Sequence, residues 1–113
     1  MTEYRERLRC LAINDERFLD SVLAISPDTV EFSTLDARTH ALVRLGALLA
    51  LDAAPSSYHW SVERALAAGA TSEEIVGTAI AVAPAAGLAR VVSAAPELAI
   101  ALGYDLDKAL EEP

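Results

Sequence analysis

The most informative stretch of the chain is Ala65-Leu66-Ala67-Ala68-Gly69-Ala70-Thr71-Ser72-Glu73-Glu74-Ile75-Val76. Glycine tolerates the left-handed backbone that ends a helix, so Gly69 indicates a helix C-terminus. Thr71 and Glu74 have the spacing of a capping box, in which each side chain satisfies the other residue's backbone N–H. The stretch therefore predicts one helix that ends at Ala68 and a second helix that begins after Thr71.

Outside this stretch, residues that favour helices dominate and no segment alternates as a strand does. The patterns predict helices at 3–13, at 15–24 with Asn14 as cap, at 35–52, at 56–68 with Ser56 or Ser57 as cap, and at 96–102 with Pro96 as first residue. Residues 26–34 read as a linker, 88–94 as a further helical segment and 105–112 as a terminal turn or short helix. The predicted fold class is all-α.

The segment from Ile75 to Pro84 is apolar on nearly every side, which predicts a central helix that is buried on more than one flank. The length of 113 residues fits one compact domain. Within it we distinguish N-terminal helices and a linker, residues 1–34, from a helical domain, residues 35–113.

Charge and hydropathy limit the classes of partner. The chain has 9 basic and 17 acidic residues and a net charge of −8, the wrong sign for nucleic acid or anionic lipid. A mean hydropathy of +0.30 is nevertheless high for an acidic small domain. The most apolar run, 79–102, is broken by prolines and charges, so we predict a subunit interface rather than a membrane span. No signal peptide is visible, which predicts a cytoplasmic protein.

Candidate metal and redox residues are few. Cys10 is the single cysteine, and His40 and His59 lack the spacing of metal ligands. We therefore predict no metal site, no bound cofactor and inert burial of Cys10.

Two segments, 35–46 and 65–76, resemble the carboxymuconolactone decarboxylase family, which includes the alkylhydroperoxidase (AhpD)-like proteins. The resemblance extends over 35–102, and its most specific part is the Ala-Leu-x-x-Gly-Ala-Thr-x-Glu-Glu-Ile segment that begins at Ala65. It implies an AhpD-like helical bundle that assembles into a homotrimer or a homohexamer.

The residues that perform the family's chemistry can be matched one by one to positions in this sequence. Its peroxidases carry Cys-x-x-Cys with a histidine four residues later, whereas its lactone decarboxylases use a pocket without cofactor. Counted back from Gly69, the cysteine positions fall on Ala54 and Ser57 and the histidine position on Ser61. A serine hydroxyl cannot perform thiol redox chemistry. The acid expected on the preceding helix is also missing between residues 37 and 50.

At 100° per residue, Ser57, Tyr58 and Ser61 share the face that forms the family's pocket. These hydroxyls are suited to hydrogen-bonding a small oxygenated ligand. Alternatively, Ser57 caps its helix while Tyr58 and Ser61 are ordinary packing residues.

Candidate bases and carboxylate anchors lie nearby. His59 and Glu63 have the i, i+4 spacing of a base and its orienting acid, or of a surface ion pair, and His40 is the second candidate base. Arg44 and Arg90 are candidate anchors for a substrate carboxylate. Their structural alternatives are pairs with acids, including Glu73 or Glu74 of a neighbouring subunit for Arg44 and Glu97 for a buried Arg90. Trp60 and Arg64 have the spacing of a cation–π contact, and we expect Trp60 at a subunit interface.

Three functions follow. The first is binding or cofactor-free transformation of a small carboxylate or lactone, as a decarboxylase or lyase. The second is a catalytically silent oligomeric scaffold of the same fold. The third, which the missing thiols disfavour, is a family-type peroxidase that acts through Cys10.

Overall fold

The computed structural model of the chain describes residues 3–18, 20 and 30–111, with the backbone alone at 31 and 32. This part of the chain is all-α and contains no strand, as predicted. Its helices are α1 (Tyr4–Ala12), α2 (Val30–Ser33), α3 (Ala37–Leu51), α4 (Pro55–Ala67), α5 (Ser72–Ala86), α6 (Leu88–Ala101) and α7 (Leu106–Glu111). The chain divides into two compact units, Met1–Leu35 and Asp36–Pro113.

The first unit corrects the predicted helix start at Asn14. Asn14 has a φ of 58°, the left-handed geometry that ends α1. The cap is Asp15, whose Oδ1 accepts the backbone N–H of Phe18 at 3.0 Å. The rest of the predicted helix 15–24 and the first four residues of the linker 26–34 lie at residues 19 and 21–29, outside the described residues. Within that linker, Val30–Ser33 forms the helical turn α2.

The predicted helix at 35–52 is confirmed as α3. Its N-cap is Asp36, whose side chain accepts the backbone N–H of Thr39 at 2.8 Å. This hydrogen bond holds the pKa of Asp36 below its ordinary value. Asp52 ends the helix in the left-handed conformation with a φ of 56°.

The start of α4 differs from the prediction. Pro55 is its first helical residue and Ala54 its N-cap, so neither Ser56 nor Ser57 has the predicted capping role. Proline fits this position because its fixed φ is helical and its missing N–H has no helical partner there.

The turn between α4 and α5 is built as its sequence predicts. Gly69 has a φ of 95°. Thr71 Oγ1 accepts the backbone N–H of Glu74 at 3.0 Å, and Glu74 Oε1 accepts that of Thr71 at 2.9 Å. The capping box is therefore complete.

The predicted boundary at Pro96 is wrong. One continuous helix, α6, replaces the predicted segments 88–94 and 96–102, and Pro96 lies inside it. Proline removes one N–H bond within a helix. Pro96 is exposed, so water rather than protein surrounds the interrupted position.

Helices α3 to α6 pack around a small core. Its fully buried large side chains are Leu45, Leu49, Val62 and Ile75, and much of the remainder is alanine. Arg38 of α3 pairs with Glu74 of α5 at 3.2 Å, and Gly46 lies beside Thr78 and Val82. The helices α3 and α5 therefore run in the same direction.

The predicted burial of α5 on more than one flank is wrong for the single chain. Only Ile75 and Ala79 of this helix are buried. Val76 is 45% exposed and Ile80 67%. The outward face of α5 is apolar and in contact with solvent. No helix of the described residues is long and apolar enough to cross a membrane.

Removal of the capping box is expected to destabilise the fold. Thr71→Ala should lower the free energy of unfolding by about 1 kcal/mol, because it leaves the Glu74 N–H without its acceptor. Denaturant unfolding measures the loss. Thr71→Ser, which keeps the hydroxyl, and Ser72→Ala on the neighbouring exposed residue are the controls. A Thr71→Ala variant as stable as Ser72→Ala would contradict this role of the cap.

Candidate functional site

The hydroxyl face of α4 is largely closed. Tyr58 and Ser61 are each 3% exposed and Ser57 is half-buried. Tyr58 Oη donates a hydrogen bond to the Leu48 carbonyl of α3 at 3.4 Å. Burial raises the pKa of Tyr58, so the phenol keeps its proton at neutral pH. Tyr58 and Ser61 pack within the helical unit, as their structural alternative states, whereas Ser57 does not cap the helix.

A histidine–carboxylate pair joins α4 to α6. His59 Nε2 lies 3.0 Å from Glu97 Oε2, and the two side chains are 37% and 32% exposed. The predicted partner Glu63 is exposed, and the acid that contacts the His59 ring is Glu97. The predicted pairing of His59 with Glu63 is therefore corrected, because the packing of α6 brings a better-placed acid to the ring.

Arg90 is exposed rather than buried, and its predicted partner Glu97 is bound to His59 instead. Arg90 lies in the first turn of α6, and its positive charge partly opposes the effect of burial on the pKa of the Tyr58 phenol. Arg90 therefore keeps an exposed guanidinium and needs no buried partner.

Two arginines converge on the single tryptophan. The Arg64 guanidinium carbon lies 4.9 Å from the centre of the Trp60 ring, as the spacing predicted. Arg44, from α3, lies 5.9 Å from the same centre. We call Arg44, Trp60 and Arg64 the arginine–tryptophan cluster. Trp60 is 39% exposed, so one part of the ring contacts cations while another meets solvent.

His40 lies one turn before Arg44 on α3 and is 8% exposed. Burial, and next the charge of Arg44, lower its pKa, because both disfavour the protonated imidazole. His40 is therefore neutral at pH 7.

The structure thus distributes the predicted site residues over three places. Arg44 and His40 lie with the cluster at the seam of α3 and α4, while His59 lies at the contact with α6. The hydroxyls of Ser57, Tyr58 and Ser61 lie in or beside the core. Within the part of the chain that the structure describes, no three potential metal ligands come together.

Two contacts at the candidate site could not be predicted from local sequence patterns. Glu97 reaches His59 across 38 residues, so no local spacing indicates the pair. The contact of Arg44 with Trp60 likewise depends on how α3 and α4 pack. Glu74, by contrast, is engaged within its own chain by Arg38 and by Thr71.

These features describe a small all-α domain of packed helices with a cation–aromatic cluster at one seam. The chain matches the carboxymuconolactone decarboxylase family over residues 16–99 and belongs to that family, as the resemblance predicted. The match begins before residue 35, where the predicted resemblance starts. Comparisons with curated proteins and with solved structures give no significant match.

The perturbed histidine generates a pH prediction. A lowered pKa means that the unfolded chain binds a proton more readily than the folded chain, so stability should fall as the pH drops below 6.5. We expect NMR titration of the His40 ring to give a pKa below that value, and Arg44→Gln to raise it towards 6.5. A His40 pKa at or above 6.5 in the wild-type protein would contradict this environment.

Proposed function

We propose that the protein binds a small metabolite bearing a carboxylate at the arginine–tryptophan cluster, without a cofactor. The observation that carries this proposal is the convergence of two guanidinium groups, 5.9 Å and 4.9 Å away, on one half-exposed indole. A planar guanidinium binds a carboxylate through two parallel hydrogen bonds. The indole offers an apolar surface to a ring or lactone beside that carboxylate.

Electrostatics supports the same proposal. The chain has a net charge of −8, yet two of its few cations share one ring. Among the described residues, no carboxylate pairs with Arg44, whereas Arg38 on the same helix is bound to Glu74. An anionic ligand would relieve the repulsion between Arg44 and Arg64 as well as supply a partner to Arg44.

For a decarboxylase or lyase activity, His59 is the first candidate base, at the contact of α4 with α6. When Nε2 donates its proton to Glu97, the lone pair lies on Nδ1, which can accept a proton from a C–H or O–H group of a bound carboxylate. The Glu97 carboxylate would stabilise the resulting imidazolium. His40, neutral and next to Arg44 on α3, is the second candidate.

The scaffold function remains the second candidate, and it is favoured by a different observation. The face that forms the family's pocket is closed here, with Tyr58 and Ser61 each 3% exposed. In this reading the protein acts through its assembly with copies of itself, as the predicted homotrimer or homohexamer. For either function, the proposed location is the cytoplasm.

Thiol peroxidase activity receives the least support. The Cys10 Sγ lies 3.8 Å from Glu6 Oε1, and partial burial followed by the charge of Glu6 raises the pKa of the thiol. A reactive cysteine needs the opposite, a lowered pKa that favours the thiolate.

Ligand binding can be tested with benzoate as the probe and benzamide as its uncharged analogue. Calorimetric titration should show binding of benzoate but not of benzamide. Arg44→Gln should weaken the binding by roughly 10-fold to 100-fold, because it removes a charge-assisted contact. Arg38→Gln, on the same helix, should leave it unchanged. Equal affinity of the wild-type and Arg44→Gln proteins, or no binding at all, would refute this site and leave the scaffold function.

Peroxide consumption with a dithiol reductant tests the third function. We expect a rate no higher than that of the Cys10→Ser protein, since the raised pKa keeps Cys10 as a thiol. A rate that disappears in Cys10→Ser would show that this thiol is catalytic after all.

A further inference from the structure

Burial decreases stepwise from His40 to the arginine–tryptophan cluster. His40 is 8% exposed, Arg44 is half-buried and Trp60 is 39% exposed. Residues four positions apart on a helix are neighbours on the same face, so Arg44 lies beside His40. The guanidinium carbon of Arg44 lies 5.9 Å from the centre of the Trp60 ring. Arg44 therefore connects a buried imidazole with a half-exposed indole.

His40 and Arg44 interact electrostatically. Burial is the larger cause that lowers the pKa of His40, and the positive charge of Arg44 is the second. The second cause acts because an imidazolium and a guanidinium repel each other. Since His40 is buried, salt screens this repulsion less than it screens a repulsion between exposed charges. Protonation of His40 is therefore disfavoured as long as the charge of Arg44 is not offset by an anion.

The other charged groups around His40 belong to α3 itself and to the three helices that pack against it, α4, α5 and α6. Those on α3 and at its two caps are Asp36, Arg38 and Asp52. The charged and titratable side chains of the three packed helices are Tyr58, His59, Glu63, Arg64, Glu73, Glu74, Arg90 and Glu97. Among these described groups, Arg44 is the one whose charge shifts the pKa of His40. A change in the charge at Arg44 should therefore be felt at His40.

We propose that a carboxylate at the arginine–tryptophan cluster and a proton on His40 bind cooperatively. This inference rests on the proposed ligand site, and it adds His40 to the residues that set the affinity of that site. A carboxylate bound to Arg44 places a negative charge beside the guanidinium. The repulsion between Arg44 and a protonated His40 is then offset, so His40 takes up a proton more readily.

Thermodynamic linkage makes the effect reciprocal. If a bound carboxylate raises the pKa of His40, protonation of His40 raises the affinity for the carboxylate by the corresponding factor. The affinity is then highest below the pKa of His40 in the free protein, which lies under 6.5. It falls as the pH rises from that value to the pKa of His40 in the complex. The ligand itself stays ionised throughout, because carboxyl groups titrate near pH ~4.

Calorimetric titration of the full chain with benzoate, from about pH 8 to about pH 5.5, tests the cooperativity. The affinity should rise by roughly 5-fold or more as the pH falls, which is the lower end of typical coupling between two sites. Binding should also take up protons at intermediate pH, and titrations in two buffers of different ionisation enthalpy measure this uptake. His40→Gln should lose both effects. Arg38→Gln, on the same helix, is the matched control and should keep both.

NMR titration of the His40 ring in the wild-type protein provides a second test, which needs no substitution at this buried position. Saturating benzoate should raise the pKa of His40 above its value in the free protein, because the carboxylate offsets the charge of Arg44. The same concentration of benzamide, which carries no charge, should leave the pKa of His40 unchanged. The rise that benzoate causes should account for the change in affinity with pH.

The outcomes separate this inference from the proposed function. No binding of benzoate at any pH would overturn the ligand site and this inference with it. Binding that Arg44→Gln weakens, but that is equally strong at both ends of the pH range and leaves the pKa of His40 unchanged, would overturn the cooperativity alone. A pH dependence that persists in a folded His40→Gln protein would also overturn it, because another group would then take up the proton.

Discussion

The close approach of α3 to α5 at Gly46 is the constraint on which the rest of the packing depends. A Cβ atom there would lie 3.3 Å from Val82 Cγ2, a tight contact, so the missing Cβ lets the two helices approach closely. At that short distance a few full-size residues, Leu45 and Leu49 of α3 with Ile75 of α5, fill the space between helices. Alanines complete the core, because little room is left for larger side chains. The core is therefore thin, and much apolar surface remains outside it.

Local patterns account for most of the fold. The capping box at Thr71 and the glycine turn at Gly69 involve hydrogen bonds between near neighbours, so their sequence spacing suffices to predict them. Three predicted boundaries differ from the structure: Asn14 ends a helix instead of capping the next one, and the other two involve prolines. Pro55 is the first residue of α4, before the serines that the sequence indicates as caps, and Pro96 lies within α6 although its position predicts a helix start. Pro96 is tolerated inside α6 because it is exposed, and a local sequence pattern does not show whether a residue is exposed.

The candidate site depends even more on contacts between different helices, which local sequence patterns do not reveal. Trp60 and Arg64 lie on one helix, so their contact follows from spacing. Arg44 joins them only because α3 packs against α4, and Glu97 reaches His59 only because α6 does. The burial of α5 was overestimated for a related reason: an apolar sequence shows that a helix face avoids water, but not whether its own chain covers that face. Family membership accounts for the fold, while this sequence has a single cysteine, Cys10.

Glu74 links the start of α5 to α3 and so affects how the two helices are aligned. One carboxylate oxygen accepts the N–H of Thr71, and the other pairs with Arg38 on α3. The side chain that completes the first turn of α5 is thus also the one that fixes its axial register against α3. A slip of either helix by one turn, about 5.4 Å, would break this pair and move Gly46 away from Val82. The Arg38–Glu74 ion pair is partly exposed and therefore adds little to the stability of the fold. It can form, however, only in this register of α5 against α3.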